Sequence, residues 1–513
     1  MDIDTLLTAH GIDAEAVHRI QKRFNTQKER PREFQSFPSI DGDQVISAAD
    51  IEGITLSRDE CREFLDSYLP GFTENDFPEL IQDDLCYAPR SLLEIWGMLL
   101  YPYTAFGILN GGSATSYIDT KKNQSYGEQL FASVQPVFSP LSDLCSGKPK
   151  GSTPGFINPD GTPGRSFMYL KVRSLMIESL KYRRLMEKRF PDITPIDFGI
   201  IPLFQMTSNA THEPILHELA QMRQDTEYLK LSRELGGAHL SDKYTAVQPM
   251  IAAFRTYLPG DDLKVFLEAG GASQAPLPLP GGHGQNFSVL EPVYQTLHRE
   301  GKRFAFLGNI DNLGNTVNPL HLALTALKKA QGSFEFSFKT PVDVKGGVLV
   351  RNSEGKLDCM DIGPGIDEQQ VEDHVKTGNE LLFNCAAGLF SLDTLVRDLE
   401  QIIETLPLRI SNQHKDAGAY SQIEQITWEV IGLLEKPLII GVRKHERFLA
   451  AKLLIEQILT SLAPDYIDGE TKDTVGRSFL QLHTGLKHLL RKSYGLALQD
   501  GSCWEELPID QLD

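Results

Sequence analysis

Four segments carry residue types that suit a phosphorylated ligand, and each follows an apolar run. Asn110-Gly111-Gly112-Ser113-Ala114-Thr115 joins a pair of glycines, which let backbone amides approach a phosphate, to hydroxyl donors. Gly281-Gly282-His283-Gly284 sets an imidazole in a turn that exposes the backbone. Asn309-Ile310-Asp311-Asn312 ends the run FAFLGN, and an acid at that place suits Mg²⁺, which takes one or two carboxylates plus substrate phosphate. Lys339 to Gly347, KTPVDVKGG, places Lys339 and Lys345 beside a Gly-Gly turn. Each segment alone has a plain structural reading, as a tight turn, an Asx cap or a solvated lysine. Together they point to a phosphate-ligand enzyme that uses Mg²⁺. No GxxxxGK[ST] occurs and the first loop lacks a third glycine, so neither a Walker loop nor a dinucleotide fingerprint is present.

The elements that must hold these loops follow from periodicity. Apolar runs at Thr104–Leu109, Phe198–Met206 and Arg303–Asp311 alternate with helical patterns beginning near Phe167, Glu213, Phe287 and Leu320. That alternation predicts an α/β sheet with crossover helices, and ligands in such sheets sit at the carboxyl ends of strands. A β-rich insert is expected at FEFSFKT, GGVLVRN and KLDCMDIG, and a helix at Leu392–Leu406. Residues 1–103 and 447–513 read as helical, giving three regions, 1–103, 104–446 and 447–513. Between the first loop and Ser166 a long unstructured stretch is expected, ending in the Gly- and Pro-dense KPKGSTPGFINPDGTPGRS.

Composition limits the partners. Fifty basic and 69 acidic side chains leave a net charge of −19, which disfavours nucleic acid and anionic membranes as partners. Six cysteines without a CxxC pair fit reduced thiols in a cytoplasmic protein. The opening residues lack a basic-then-apolar leader pattern. The stretch Leu92 to Leu109 contains Glu94 and Pro102 and reads as a buried helix entering a buried strand, not a membrane span.

In their order, the segments resemble the UTP–glucose-1-phosphate uridylyltransferase family. Leu109 to Ser116 is similar to the family's LNGGLGT-S, and Met206 to Glu213 to its MNS-x-NTHE. Pro280 to Gln285 is similar to PPGHGD, Gly308 to Asn318 to SNIDNLGATVD, and Lys339 to Gly347 to KT-x-x-DVKGG. Val442 to Lys452 looks like VPRSRFLPVK, with Arg447-Phe448-Leu449 and Lys452 kept. The resemblance implies a GT-A/Rossmann-like nucleotidyltransferase core with a mixed sheet. It implies UTP and a hexose 1-phosphate, glucose 1-phosphate first, as substrates, Mg²⁺ as cofactor, and a monomer or small homo-oligomer.

It also implies roles. Gly111, Gly112, Met206, Gln248 and Gly282 would hold the nucleotide. His283, Asn309, Lys345, Gly346 and Asn384 would face the sugar phosphate. Asp311 would hold the metal, Lys452 would neutralise phosphate charge, and Lys122 is the nearest lysine to close the first signature on the triphosphate. The chain departs from the pattern at Ser113-Ala114, at Ile118 to Asn123 in place of Gly-x-x-Gly-Pro-Lys, and at Phe383 to Phe390, FNCAAGLF, where FNTNNLW loses its second and third amides. It also lacks a C-terminal β-helix pattern. The Met206-Thr207-Ser208 variant suggests a UDP-N-acetylhexosamine pyrophosphorylase as an alternative. The departures suggest another, a catalytically degraded nucleotide-sugar-binding protein.

Overall fold

Of the runs at whose ends the chemistry was expected, Thr104–Leu109 and Phe304–Asn309 lie side by side. A computed structural model describes residues 2–27 and 32–512. Eight strands form the spine of its central sheet: β1 (Val45–Ser47), β2 (Thr104–Leu109), β3 (Leu203–Ser208), β4 (Thr245–Gln248), β5 (Phe304–Asn309), β6 (Gly332–Phe338), β7 (Leu382–Ser391) and β8 (Pro437–Val442). Their spatial order is β1-β8-β6-β7-β5-β2-β3-β4. Only β7 runs against its neighbours β5 and β6, so the other seven strands end along one edge.

Burial on both faces explains the unbroken apolar runs. All six residues of β2 are buried. Along β5, Phe304 and Phe306 join the core under the helices Phe167–Arg189 and Pro319–Leu327. Ala305 and Leu307 face the opposite core, against the helices Glu291–Arg299 and Leu392–Thr405. The period-two alternation of a strand thus feeds two cores. The strands Gly347–Asn352 and Leu357–Asp361 branch from the spine as the expected β-rich insert.

Several local expectations change. The run Phe198–Met206 becomes strand only from Leu203, just after Pro202. Leu92–Leu109 is a buried helix, Arg90–Leu99, that leads through a short turn into β2, and no helix among the described residues is long and apolar enough to cross a membrane. The stretch expected to be unstructured contains an 18-residue helix, Glu128–Cys145. Its Phe131, Val134, Phe138, Leu141 and Cys145 keep helical spacing and are buried, while Pro136 and Pro140 lie on the exposed face. Those prolines hid the pattern in the sequence. The following Gly/Pro loop is packed: Lys150, Gly151 and Thr153 to Asn158 are all buried. Residues 1–103 are helical in their longest elements but also contribute β1 to the central sheet. Beyond Arg447 two helices, Leu454–Tyr466 and Thr474–Lys492, precede a hairpin of Leu496–Gln499 and Cys503–Glu506.

Candidate functional site

Neighbouring strands β2 and β5 are parallel and in register, with Leu109 beside Asn309. The Asn110–Thr115 and Asn309–Asn312 loops therefore leave the sheet edge together. Side chains from the loop after β3 fix the first of them. Ser208 Oγ donates to Gly111 O at 2.9 Å and Thr211 Oγ1 to Asn110 O at 3.1 Å. The hydroxyls of the TSNAT segment thus serve the backbone of the first loop, leaving Gly112 exposed.

The packed Gly/Pro loop lies against the same turn. Lys150 N donates to Gly112 O at 2.9 Å, and Ala114 N to Lys148 O at 3.0 Å. This brings in a residue that sequence reasoning missed. Lys150 is 6% exposed, its Nζ stands 2.9 Å from the centre of the Tyr117 ring, and it has no hydrogen-bond partner among the described residues. Burial pushes its ammonium down to about 7, while Asp311 and, more weakly, Cys145 and Glu456 pull the other way. The Tyr117 hydroxyl and Asn110 Oδ1 are buried and unpartnered as well. A buried, unpaired cation facing an acid is costly unless something anionic completes it. Lys122, the lysine expected here, is exposed and donates to Ser116 Oγ at 3.0 Å. Its four-residue helix carries it to the surface, while the helix Glu128–Cys145 returns the chain at Lys150. The signal available in the sequence was the Pro149-Lys150 pair after that helix.

Asp311 sits on a loop zipped to the segment that bears Lys452. Asn312 Oδ1 accepts from Leu449 N at 3.0 Å, Asn312 Nδ2 donates to Arg447 O at 3.1 Å, and Leu313 N to Leu449 O at 3.1 Å. A side chain at Gly314 would meet the carbonyl of Arg447, so a glycine permits this contact. From behind, the fully buried Lys171 donates to Asn312 O and Asn315 O, both at 2.6 Å. Burial pushes its ammonium far below the ordinary lysine range. Arg447 is anchored at 2.7 Å on Glu335, whose burial is outweighed by Arg447 and His321, leaving its carboxyl at about 2. Lys452 itself is exposed; its own N–H donates to Glu456 at 2.6 Å, and the adjoining Leu454 N donates to Tyr117 O. The segments of Tyr117, Asp311 and Lys452 thus converge.

Gln248, at the end of β4, donates to Gly282 O at 2.8 Å and to Gln285 Oε1 at 2.7 Å. Gly111 lies against its other amide atom. Gly111, Gln248 and Gly282 therefore border one space. Gly282 has φ +81, and a Cβ there would stand 2.4 Å from Gln425 O. Gly282→Ala should lower stability by about 2–4 kcal/mol, read from urea denaturation, because strain and overlap both oppose it. His283 Nδ1 accepts from Thr427 N at 3.1 Å, which places the proton on Nε2. Burial and the nearby Arg409 push its pKa down to about 4, so the ring is neutral at pH 7. Arg409 is a second missed residue; it pairs with Asp361 and, at 3.1 Å, with Glu429. Nothing in its sequence context marks it.

Other expected residues are spread around this edge. Met206 is 2% exposed, and its side chain packs in the second core of the sheet. Asn384 is bound to its own strand: its Oδ1 accepts from Ala386 N at 2.9 Å, where Ala386 takes φ +50. Gly346, at φ +139, packs on Phe383, and Lys345 is exposed. Asp343 of the same loop is buried under Lys444 at 2.6 Å and accepts from Thr340 N, so it is structural. Asn309 continues β5 to the loop. Among the described residues no three His, Cys, Asp or Glu side chains gather into a metal cluster; Asp311 is the acid that acts most strongly on Lys150, with Glu456 weaker. One carboxylate suits Mg²⁺ that draws its other ligands from phosphate and water.

The fold defined by this sheet is that of UDP-sugar pyrophosphorylases. A uridine diphosphate N-acetylglucosamine pyrophosphorylase from Trypanosoma brucei superposes with a TM-score of 0.53 at 17% identity, covering 93% of this chain and 77% of that one. A mutant UDP-glucose pyrophosphorylase from Leishmania major, in complex with UDP-glucose, does so with a TM-score of 0.51 at 16% identity, covering 98% and 82%.

By sequence, residues 262–466 match the UTP–glucose-1-phosphate uridylyltransferase family, and the resemblance read from the motifs stands. UTP–glucose-1-phosphate uridylyltransferase 2 of Dictyostelium discoideum is 30% identical over 148 residues, 28% of this chain and 29% of that one. The UTP–glucose-1-phosphate uridylyltransferase of Hordeum vulgare is 28% identical over 197 residues, 37% and 41%. The chain matches less than half the length of these relatives.

Proposed function

We propose that the chain is a UTP:sugar-1-phosphate uridylyltransferase with glucose 1-phosphate as its first substrate. The observation that carries this is Lys150, buried and unpartnered, sharing one junction with Asp311 and the glycine loop at Gly111–Gly112. In the reaction a phosphate oxygen of the sugar phosphate attacks the α-phosphorus of UTP, forming one P–O bond as the bond to pyrophosphate breaks. No protein nucleophile is required; positioning and charge neutralisation suffice.

Lys150, in place of Lys122, would neutralise the triphosphate, with the amides of Gly111 and Gly112 beside it. Gln248 and Gly282 would frame the base. Neutral His283 would donate from Nε2 to the sugar phosphate, and Asn309, Lys345, Gly346 and Asn384 would lie toward the sugar. Lys452 would meet the phosphate charge from the opposite loop. Asp311 would hold Mg²⁺, which when bound neutralises phosphate charge. Pyrophosphate release from UTP and Mg²⁺ with a panel of hexose 1-phosphates tests the proposal. Turnover is expected, fastest with glucose 1-phosphate; silence across the panel from folded protein would overturn it. Lys122→Ala should leave kcat/KM within about threefold of wild type, since its ammonium serves a surface hydroxyl.

The small Ala386-Ala387 pair, which lies in mid-strand beside Gly308 near the end of β5, favours a second reading in which the sugar carries an N-acetyl group. A higher kcat/KM for N-acetylglucosamine 1-phosphate than for glucose 1-phosphate would select it. Retention of Asp311, Lys345 and Lys452 weighs against a degraded binding protein, and the buried Lys150 adds to it.

A further inference from the structure

Strands β6 and β8 are adjacent, and both end on the same sheet edge as the junction, at a distance of two and three strands from β5. Past their ends a small cleft of about 170 Å³ opens against the helix Thr474–Lys492. Its polar lining is Lys339 and Thr340 after β6, Arg443, Lys444 and His445 after β8, and Ser478 and Gln481 on the helix. None of the lining residues is acidic, although the chain as a whole carries −19.

The acids that come near leave much of this charge unspent. Asp343 takes Lys444 at 2.6 Å. Arg443 reaches Asp50 only at 3.5 Å and Glu446 at 3.9 Å, and His445 stands 3.7 Å from Glu446. The Lys339 ammonium makes no hydrogen bond or ion pair with any described residue. An ammonium, a loosely held guanidinium, an imidazole and an exposed amide thus line one space of about 170 Å³, enough for a small oxyanion and its substituent. Mixed fork and point donors of this kind recognise tetrahedral phosphate.

We infer that this cleft binds a phosphoryl group, as free phosphate or as the head of a small phosphomonoester, outside the nucleotide site. The bound anion joins Lys339 to Arg443 and so ties the segment leading to Lys345 and Gly346 to the segment leading to Lys452. The inference does not depend on the proposed reaction.

Isothermal titration of the full chain with inorganic phosphate, and separately with glycerol phosphate, tests it. Gln481→Glu keeps the size of an exposed helix residue but puts a carboxylate at the mouth, and should weaken phosphate binding about tenfold or more. Arg443→Gln should weaken it similarly, and neutral Gln481→Asn should preserve it. Lys150→Met, which alters the other site, should leave it unchanged. Tighter binding of glycerol phosphate would identify a phosphomonoester as the ligand, and tighter binding of phosphate the free ion. Absence of binding to wild type, or binding lost in Lys150→Met and kept in both Arg443→Gln and Gln481→Glu, would overturn the inference.

Discussion

Asp311→Ala should lower kcat for pyrophosphate release by about a thousandfold, while the urea midpoint moves little. Asp311 is partly exposed and makes no hydrogen bond within the described chain that its loss would break. The loop around it is held by other groups: Asn312 to Arg447 and Leu449, Lys171 to the carbonyls of Asn312 and Asn315, and Tyr494 OH to Leu313 O. Removing the carboxylate therefore removes charge and not architecture. The variant also leaves Lys150 without its strongest opposing charge, so the Lys150 ammonium should titrate lower still. Steady-state rates over a range of Mg²⁺ concentrations check this. A loss that excess Mg²⁺ restores would mean weakened metal affinity, and near-wild-type turnover at ordinary Mg²⁺ would remove Asp311 from the site.

What the sequence made legible followed from regular spacing. β2 and β5 were visible because burial on both faces demands unbroken apolar runs, and their ends located Gly111, Gly112 and Asp311. Residues that depend on a tertiary return were not visible. Lys150 reaches the glycine loop only after the helix Glu128–Cys145, whose two exposed prolines broke the periodic pattern. Lys171 sits in the buried first half of the helix Phe167–Arg189, and its role exists only because the carbonyls of Asn312 and Asn315 turn toward it. Arg409 lies on a hairpin strand whose partners, Asp361 and Glu429, come from two other parts of the chain. The side chain of Met206 packs in the sheet's second core, a direction that residue type alone does not disclose. Local rules found the strand ends, and long-range packing chose which side chains faced the space between them.

Lys150→Met should have two effects of opposite kind. Turnover should fall by about a thousandfold, because the ammonium that would meet the triphosphate is gone. Stability should rise. An unpaired lysine titrating near 7 in the folded protein and near 10.5 when unfolded opposes folding wherever the unfolded chain holds its proton more tightly. That penalty is complete below pH 7 and fades as pH rises from 7 toward 10.5, so the gain in the variant should be larger at pH 6 than at pH 9. Urea denaturation at the two pH values measures it; a gain independent of pH would mean that Lys150 is not charged and buried as described. The same titration predicts a binding signature. At pH 8 the free site is mostly neutral, so UTP binding should draw a proton onto Lys150. Calorimetry in buffers of different ionisation enthalpy should show more proton uptake in wild type than in Lys150→Met. Equal uptake in both proteins would separate Lys150 from the triphosphate and return the assignment to the exposed lysines of the neighbouring loops.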